Sequence, residues 1–464
     1  MLSSPIDHSE VTVVILAAGK GTRMRSQLPK VLHQIAGETL LGHVLATVER
    51  LSIPRAIAIV GHGADQVRAS LPGWVETVEQ REQLGTGHAV QQVVPSLSEF
   101  QGDVLILSGD VPLLSAETLS AMRQAHREAG AALTLLTTEL ANPTGYGRIV
   151  RESGRVKGIV EHKDATPAQR EIREINAGVY LADWAKLRDA ISTLSNSNAQ
   201  GEYYLTDAVA KLVDAGEVVI GHVTPDSTEV SGINTRAELV ALASEYQQRS
   251  AAYWLSNGVT IESPATTWIG PRVSIGEDTV IEQGVALYGK TTIGEACRVG
   301  AFSRLNHTEL GARVEIRQSD LEESSVGEDT TIGPFARLRG GAALGRKVRI
   351  GNFVEVKGSR FGDGAKAAHL AYLGDATIGS KANIGAGTIT CNYDGTKKHP
   401  TTIGEGAFIG SNSTLVAPLT IGDHGYTAAG STIVSDVPDG ALALGRARQV
   451  VKEGWVLQRK GITT

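Results

Sequence analysis

The sequence predicts an α/β domain followed by a parallel β-helix, and three observations carry that reading. From about residue 11 to 225, apolar runs of strand length alternate with helical stretches, the pattern of an α/β sheet. From Ile269 onward an aliphatic residue, usually followed by glycine, returns every six residues. That period fits neither a helix nor an ordinary sheet and belongs to stacked short strands. Glycine is abundant, at 53 of 464 residues, while aromatics make up 5%, as tight corners between short strands require. The expected boundaries are 1–235 for the α/β domain, 236–256 for a helical linker and 257–464 for the β-helix with a carboxyl-terminal tail.

A chain of 464 residues is too long for one ordinary core. Its net charge of −6 argues against a nucleic-acid coat or a membrane-surface protein. An anionic substrate must then be held by local cations rather than by the overall field. No run of about 18 apolar residues exists to span a membrane. The opening MLSSPIDHSE is polar and acidic, unlike a signal peptide. Cys297 and Cys391 are the only cysteines, which excludes a disulfide framework and fits a reducing, cytoplasmic setting.

In the first half, strands are expected at 11–16, 55–60, 103–107, 131–137 and 217–223, and helices at 38–50, 63–70, 115–129 and 205–215. Ligands in such sheets sit at the carboxyl ends of strands, so each post-strand segment is informative. The first strand runs Val11 to Leu16 and ends in Ala17, Ala18, Gly19 and Gly21, followed by Arg23, Arg25 and Lys30. Small residues let a ligand approach the backbone, and the cations suit phosphate. A Walker loop would need glycine at Val14, and the dinucleotide fingerprint would need glycine at Met24, so neither applies. Gln80 to His88 reads as a glycine turn opening a helix. Asp110 directly follows the strand ending near Leu107, well placed to hold Mg²⁺ against phosphate oxygens. Asn234 reads, on local sequence, as the N-cap of a helix over 235–250. A long helical stretch over 237–255 looks like the connector between domains.

The segment L-A-A-G-x-G-T-R-M followed by L-P-K resembles the signature of the Rossmann-like sugar-phosphate nucleotidyltransferases. The resemblance implies that Leu16, Ala17, Ala18 and Gly19 wrap a nucleoside triphosphate, with Arg23 and Lys30 neutralising its charge. Gln80, Gly85 and Thr86 then match the base-recognition loop of UTP-using members. Gly147, Glu161 and Asn176 match sugar-recognition positions, where Asn and Glu read hydroxyls and an N-acetyl amide. Asp110 and Asn234 match the two metal ligands. Ser108 stands where tyrosine is often found.

In the second half the six-residue phase runs Ile269, Ile275, Ile281, Leu287, Ile293 and Val299. It resumes at Val326, Ile332, Leu338, Leu344, Ile350 and Val356, then at Ile378 and Ile384, and again at Ile403, Ile409, Leu415 and Ile421. Three hexapeptides make one coil. Such repeats resemble left-handed β-helix acyltransferases, typically trimers with sites between neighbouring prisms. On the sequence pattern the phase breaks twice, around Lys357 to Asp375 and after Ile384, and breaks in a solenoid tend to carry function. His369 lies in the first break beside Tyr372, and an amine attacking a thioester needs a proton acceptor. Cys391 has no base beside it in sequence and reads as a small packed residue.

The motifs G-P-F-A-R-L-R, H-L-x-Y-L-G-D and N-I-G-A-G-T-I-T-C-N-Y-D-G extend the likeness. Over nearly its whole length the chain resembles the bacterial bifunctional N-acetylglucosamine-1-phosphate uridylyltransferase and glucosamine-1-phosphate acetyltransferase family. That resemblance makes His369 the general base. It assigns Arg339, Lys357, Tyr372 and Asn383 to the amino-sugar phosphate, and Ala386, Asn392, Tyr393, Ser411, Ala429 and Arg446 to acetyl-CoA. Gly340 replaces the proline expected after Arg339. The implied chemistry is acetyl transfer from acetyl-CoA to glucosamine 1-phosphate, then Mg²⁺-dependent uridylyl transfer from UTP. The product would be UDP-N-acetylglucosamine, a cell-wall precursor. The implied assembly is a homotrimer, with no nucleic-acid or membrane partner. Two rivals stand beside this: a single-function nucleotidyltransferase carried on a structural β-helix, and a non-catalytic regulator of the same architecture. His369, Tyr372 and the CNYDG segment oppose the first; Arg23, Lys30 and Asp110 oppose the second.

Overall fold

The computed structural model describes residues 11–462; the polar opening segment lies outside them. The chain divides into two compact units, Met1–Tyr246 and Gln247–Thr464, so the division falls within the connecting helix rather than at its ends.

The elements of the first unit are β1 (Val11–Ala17), the short hairpin β2 (Gln34–Ile35) and β3 (Glu38–Thr39), α1 (Leu40–Arg50), β4 (Ala56–Val60), α2 (Ala64–Ser70), β5 (Val75–Glu79) and α3 (Thr86–Gln91). Next come β6 (Asp103–Ser108), α4 (Ala116–Ala129), β7 (Leu133–Glu139), β8 (Arg148–Glu152), β9 (Arg155–Val160), α5 (Pro167–Arg170) and β10 (Glu174–Asp183). The unit continues with α6 (Trp184–Ser192), α7 (Asp207–Asp214) and β11 (Val219–Val223), and the chain then enters α8 (Arg236–Ser256). The main sheet runs β11-β7-β10-β6-β1-β4-β5. Only β10 is antiparallel to its neighbours on this path, and the β8–β9 hairpin joins the sheet through β10.

Burial follows the strand period of two. Val13 and Ile15 pack on one face of the sheet with α1 residues Leu41, Val44 and Leu45. Val14 packs on the other with Ile57, Ile59, Val104 and Ile106. The five expected strands and the helices agree with the observed ones to about two residues at each end. The sequence pattern does not predict the short β2–β3 hairpin or strands β5, β8, β9 and β10. Their alternation mixes charged residues with apolar ones, as in Arg148–Glu152, and β10 carries Glu174 and Asn176 beside a register shift.

Asn234 is not the cap of α8. Thr235 Oγ1 accepts the Glu238 N–H at 3.2 Å, while Glu238 Oε2 accepts the N–H groups of Asn234 and Thr235 at 2.7 and 3.1 Å. This reciprocal capping leaves the Asn234 side chain free to face the cleft.

The second unit is a parallel β-helix. Leu287 pairs with Ile269 below and Leu305 above, and the same column continues through Leu321, Leu338, Val356 and Leu373. Every aliphatic of the six-residue phase is buried, and together they form one core. The apparent first break is not one. Strands Lys366–His369 and Tyr372–Gly374 stay in register with the coil below, because Ala365, Ala367 and Leu373 supply the inward side chains. Alanine fills the inner position there and hides the repeat. The second break is a true insertion, closed by an antiparallel bridge between Tyr393 and Lys398.

Candidate active sites

β1 is flanked in parallel by β4 and β6, so their carboxyl ends lie side by side. The Gly109 N–H donates to Leu16 O at 3.0 Å, which seats Asp110 at the end of β1. After β1 the chain turns through Gly21 in the left-handed region (φ +56), and buried Met24 anchors the turn. A Cβ on Gly21 would lie 2.7 Å from Lys30 Cβ, so glycine lets this turn pack against the lysine. A Cβ on Gly19 would meet nothing; its smallness leaves space for a ligand.

The resulting cleft, of about 270 Å³, is lined by Leu16, Ala17, Ala18, Gly19, Lys30, Gln80, Gly85, Thr86 and Asp110, all named from the sequence. Gln83, Ser108 and Glu202 also line it. Gln80 is almost wholly buried. Its amide donates to Gly85 O at 3.0 Å and meets His88 Nδ1 at 3.1 Å, so it shapes the loop. Gly85 has φ +108, and a Cβ there would lie 2.6 Å from Tyr203 O.

The Lys30 ammonium forms an ion pair with Asp110 and donates to Asn234 Oδ1 at 3.2 Å. Arg23 Nη2 donates to the same Asn234 oxygen at 2.9 Å. Ser108 Oγ donates to the other Asp110 oxygen at 2.7 Å. A cationic group thus already rests between one carboxylate and one amide oxygen. That hard-oxygen pair fits Mg²⁺, which retains several waters and needs few protein ligands. Among the described residues no cluster of three or more His, Cys, Asp or Glu could hold a metal, so a zinc-type centre finds no support.

Gly147, Glu161 and Asn176 do not line that cleft; they gather beside it. The Asn176 N–H donates to Gly147 O at 2.9 Å. A Cβ on Gly147 would come within 3.4 Å of Glu161 Oε1. Asn176 Nδ2 donates to the Tyr180 hydroxyl at 2.7 Å, and its Oδ1 accepts the Gly178 N–H at 3.1 Å, which fixes the amide's orientation. Thr206 donates to Glu161 at 3.2 Å. Burial pushes the Glu161 carboxyl above its ordinary range; the Thr206 bond opposes this, and Asp164, Asp207 and Glu202 reinforce it. Thr86 Oγ1 accepts the Leu205 N–H at 3.1 Å, which ties this cluster to the cleft.

In the β-helix, His369 is exposed and ends its strand, with Asn352 directly below in register. His369 Nδ1 meets Asn352 Oδ1 at 3.2 Å. An amide oxygen only accepts, so Nδ1 is the donor in this contact, and in the neutral ring that tautomer makes Nε2 the acceptor. On the adjacent sheet Arg339, Lys357 and Gly374 stack in register. Arg339 Nε donates to Glu355 Oε1 at 2.7 Å, which holds the guanidinium. Gly340 has φ +60, a conformation proline's ring forbids, so the turn here differs from the expected one.

A Cβ on Gly374 would lie 2.6 Å from the Tyr372 hydroxyl and 2.8 Å from Asn392 Nδ2, so both side chains converge over it. Lys398, from the insertion, was missed in the sequence. The Lys357 ammonium beside it holds its pKa below the ordinary value. Adjacent ammonium groups suit an anionic ligand.

Within one chain the remaining residues are spread. Asn383 pairs with Lys366 and Phe408 in the His369 sheet, not in that of Tyr372. Ala386, Ser411 and Ala429 lie at stacked corners, joined by the Asn412 N–H to Ala386 O and the Gly430 N–H to Ser411 O bonds at 2.7 and 2.8 Å. Asn392 and Tyr393 belong to the insertion, Cys391 before them is half-buried, and Arg446 lies in the exposed tail.

The model of the MobA-like NTP transferase domain matches residues 13–166. Proteins named bifunctional protein GlmU match nearly the whole chain. The one from Synechococcus elongatus is 49% identical over 451 residues, covering 96% of this chain and 98% of its own. The one from Brevibacillus brevis is 50% identical over 456 residues, covering 98% and 99%. The one from an Anaeromyxobacter species is 52% identical over 457 residues, covering 97% and 93%. With the two site regions described above, this coverage of both halves is decisive: the chain belongs to the GlmU family of bifunctional enzymes, which join a uridylyltransferase to an acetyltransferase.

Proposed function

We propose that residues 257–464 transfer the acetyl group of acetyl-CoA to glucosamine 1-phosphate, and that residues 1–235 then join N-acetylglucosamine 1-phosphate to UMP drawn from UTP. In the first reaction the sugar amine attacks the thioester carbonyl. His369 Nε2 takes the amine proton, the C–S bond breaks and the coenzyme A thiol leaves. Arg339, Lys357 and Tyr372 hold the sugar phosphate, with Lys398 as a further cation. Asn383 completes the amino-sugar site, and Ala386, Asn392, Tyr393, Ser411, Ala429 and Arg446 bind acetyl-CoA.

In the second reaction a phosphate oxygen of N-acetylglucosamine 1-phosphate attacks the α-phosphorus of UTP, and pyrophosphate leaves. Leu16, Ala17, Ala18 and Gly19 cradle the triphosphate. Gln80, Gly85 and Thr86 hold the base, while Gly147, Glu161 and Asn176 orient the sugar. Arg23 and Lys30 offset charge on the departing pyrophosphate. Asp110 and Asn234 would hold Mg²⁺, which supplies charge neutralisation on the phosphate oxygens when bound. The single observation that carries the uridylyl reading is the meeting of Lys30, Arg23, Asp110 and Asn234 at the end of β1.

The working form is a homotrimer in the cytoplasm. Phe302, Phe335, Phe353 and Leu370 support the assembly. Each sits at a coil corner with positive φ, and their exposures are 63%, 48%, 56% and 62%. Phe335 and Phe353 stack at 5.4 Å. Bulky residues held in the left-handed region are strained, and an exposed apolar row favours a protein neighbour. The dispersal of the acetyl-CoA residues over one chain has the same explanation: neighbouring copies complete the site.

The test is thiol release on mixing the protein with acetyl-CoA and glucosamine 1-phosphate without UTP. Release that requires the amino sugar supports the acetyl step. No release, with pyrophosphate still formed from UTP and N-acetylglucosamine 1-phosphate, leaves the β-helix a structural element only.

A further inference from the structure

Arg148 opens β8 and is 1% exposed, yet among the described residues no carboxylate lies within ion-pair distance of it. Its partners are two backbone carbonyls and a histidine ring. Nη1 donates to the Tyr146 carbonyl, and Nη2 donates to His162 Nδ1 at 3.2 Å and approaches Arg170 O at 3.5 Å. Its Nε is buried without a partner. Keeping a guanidinium in such a place is costly, which directs attention to what its fork holds together.

The two closest contacts fall on different loops. Tyr146 immediately precedes Gly147, whose carbonyl accepts the Asn176 N–H at 2.9 Å. His162 immediately follows Glu161, which faces Gly147. Burial raises the Tyr146 phenol, and the charges of Glu238 and Asp110 add to that; Tyr146 therefore lies in the field of the Asp110 site. The β8–β9 pairing sets Arg148 opposite Val160 and so brings Gly147 and Glu161 near each other. Beyond that ladder the Arg148 fork ties the Tyr146 carbonyl to the His162 ring, with a planar geometry that lysine does not have.

We propose that Arg148 is a positioning residue for the sugar-phosphate acceptor of uridylyl transfer: it touches no substrate, and its fork braces the loops that carry Gly147 and Glu161 where they leave the β8–β9 pairing. This rests on the reading that Gly147, Glu161 and Asn176 hold the sugar.

Steady-state kinetics of pyrophosphate release, with each substrate varied in turn, provide the test. Arg148→Met is expected to raise the KM for N-acetylglucosamine 1-phosphate about 10-fold or more, the worth of charged hydrogen bonds, with the KM for UTP within about 2-fold of wild type. Arg148→Lys keeps the charge but loses the fork and is expected to recover little; full recovery would show that charge alone matters and overturn the proposal. His162→Ala, on the half-exposed side, preserves the fold and removes one arm of the fork. It is expected to raise the sugar-phosphate KM roughly 3-fold, and an unchanged KM would also overturn the proposal. Glu161→Gln serves as the reference. If it leaves the sugar-phosphate KM unchanged, the pocket reading fails. If it raises that KM while a folded Arg148→Met does not, the positioning role alone fails.

Discussion

Lys30 and Asp110, 80 residues apart in the chain, meet as an ion pair at the end of the central strand, and the same ammonium reaches the Asn234 oxygen at 3.2 Å. The lysine therefore stands where cations are drawn, between the two candidate metal ligands. In Lys30→Gln the charge that meets the phosphates is gone. Uridylyl transfer is expected to fall on the order of 10²-fold or more in kcat/KM, the typical worth of a preorganised charge stabiliser. Coenzyme A release by the same preparation should be unchanged. Parallel loss of both activities in a folded variant would contradict separate sites.

The bond between His369 and Asn352 makes a second prediction. His369→Ala should lower acetyl transfer about 10²–10⁴-fold and leave pyrophosphate release intact. Asn352→Leu keeps the histidine but removes the acceptor that fixes its tautomer. Acetyl transfer should fall about 10-fold, the equilibrium cost of one such hydrogen bond. Thiol release measured against pH checks both variants.

Gly85 tests the nucleotide loop. Its φ of +108 and the 2.6 Å approach that a Cβ would make to Tyr203 O predict that Gly85→Ala destabilises by about 1–3 kcal/mol. It should also raise the KM for UTP. Urea unfolding at equilibrium and initial rates at varied UTP read the two effects.

Glu161 predicts a pH dependence. Its folded pKa is raised above the ordinary 4.5, first by burial. The folded protein therefore holds that proton more tightly than the unfolded chain. Stability falls as pH rises from about the unfolded value through the folded one, and the unfavourable contribution is complete above it. Glu161→Gln is expected to gain melting temperature relative to wild type at pH 7.5, with the gain shrinking toward pH 4.5. A difference in melting temperature that does not vary with pH would contradict this.

The corner row predicts assembly. Phe353→Asp places a charge on an exposed position that stacks on Phe335, so each chain should still fold. Light scattering is expected to show dissociation of the proposed trimer. Acetyl transfer should be lost with it, while uridylyl transfer persists. A variant that remains trimeric would remove this row from the interface.

Much of the fold was legible in the sequence because periodicity reports local burial directly. The buried run of β1, the glycine turn after it and the hexapeptide aliphatics each announce their environment within a few residues. Legibility failed where that local signal was weak. Strands β8 to β10 mix charged and apolar residues, and the coil at Lys366–Gly374 substitutes alanine for the aliphatic.

The site followed the same division. Sequence by itself determined the architecture, nine of the residues that line the cleft at the end of β1, and the family. Only the tertiary structure decided which side chains meet. It showed Thr235 rather than Asn234 capping α8, which frees Asn234 for Lys30 across 204 residues. It brought Asn352 under His369, Lys398 beside Lys357, and Arg148 against two loops at once. The physical reason is register: a chain's local pattern says which face is buried, but strand pairing and coil stacking set which distant residues come into contact.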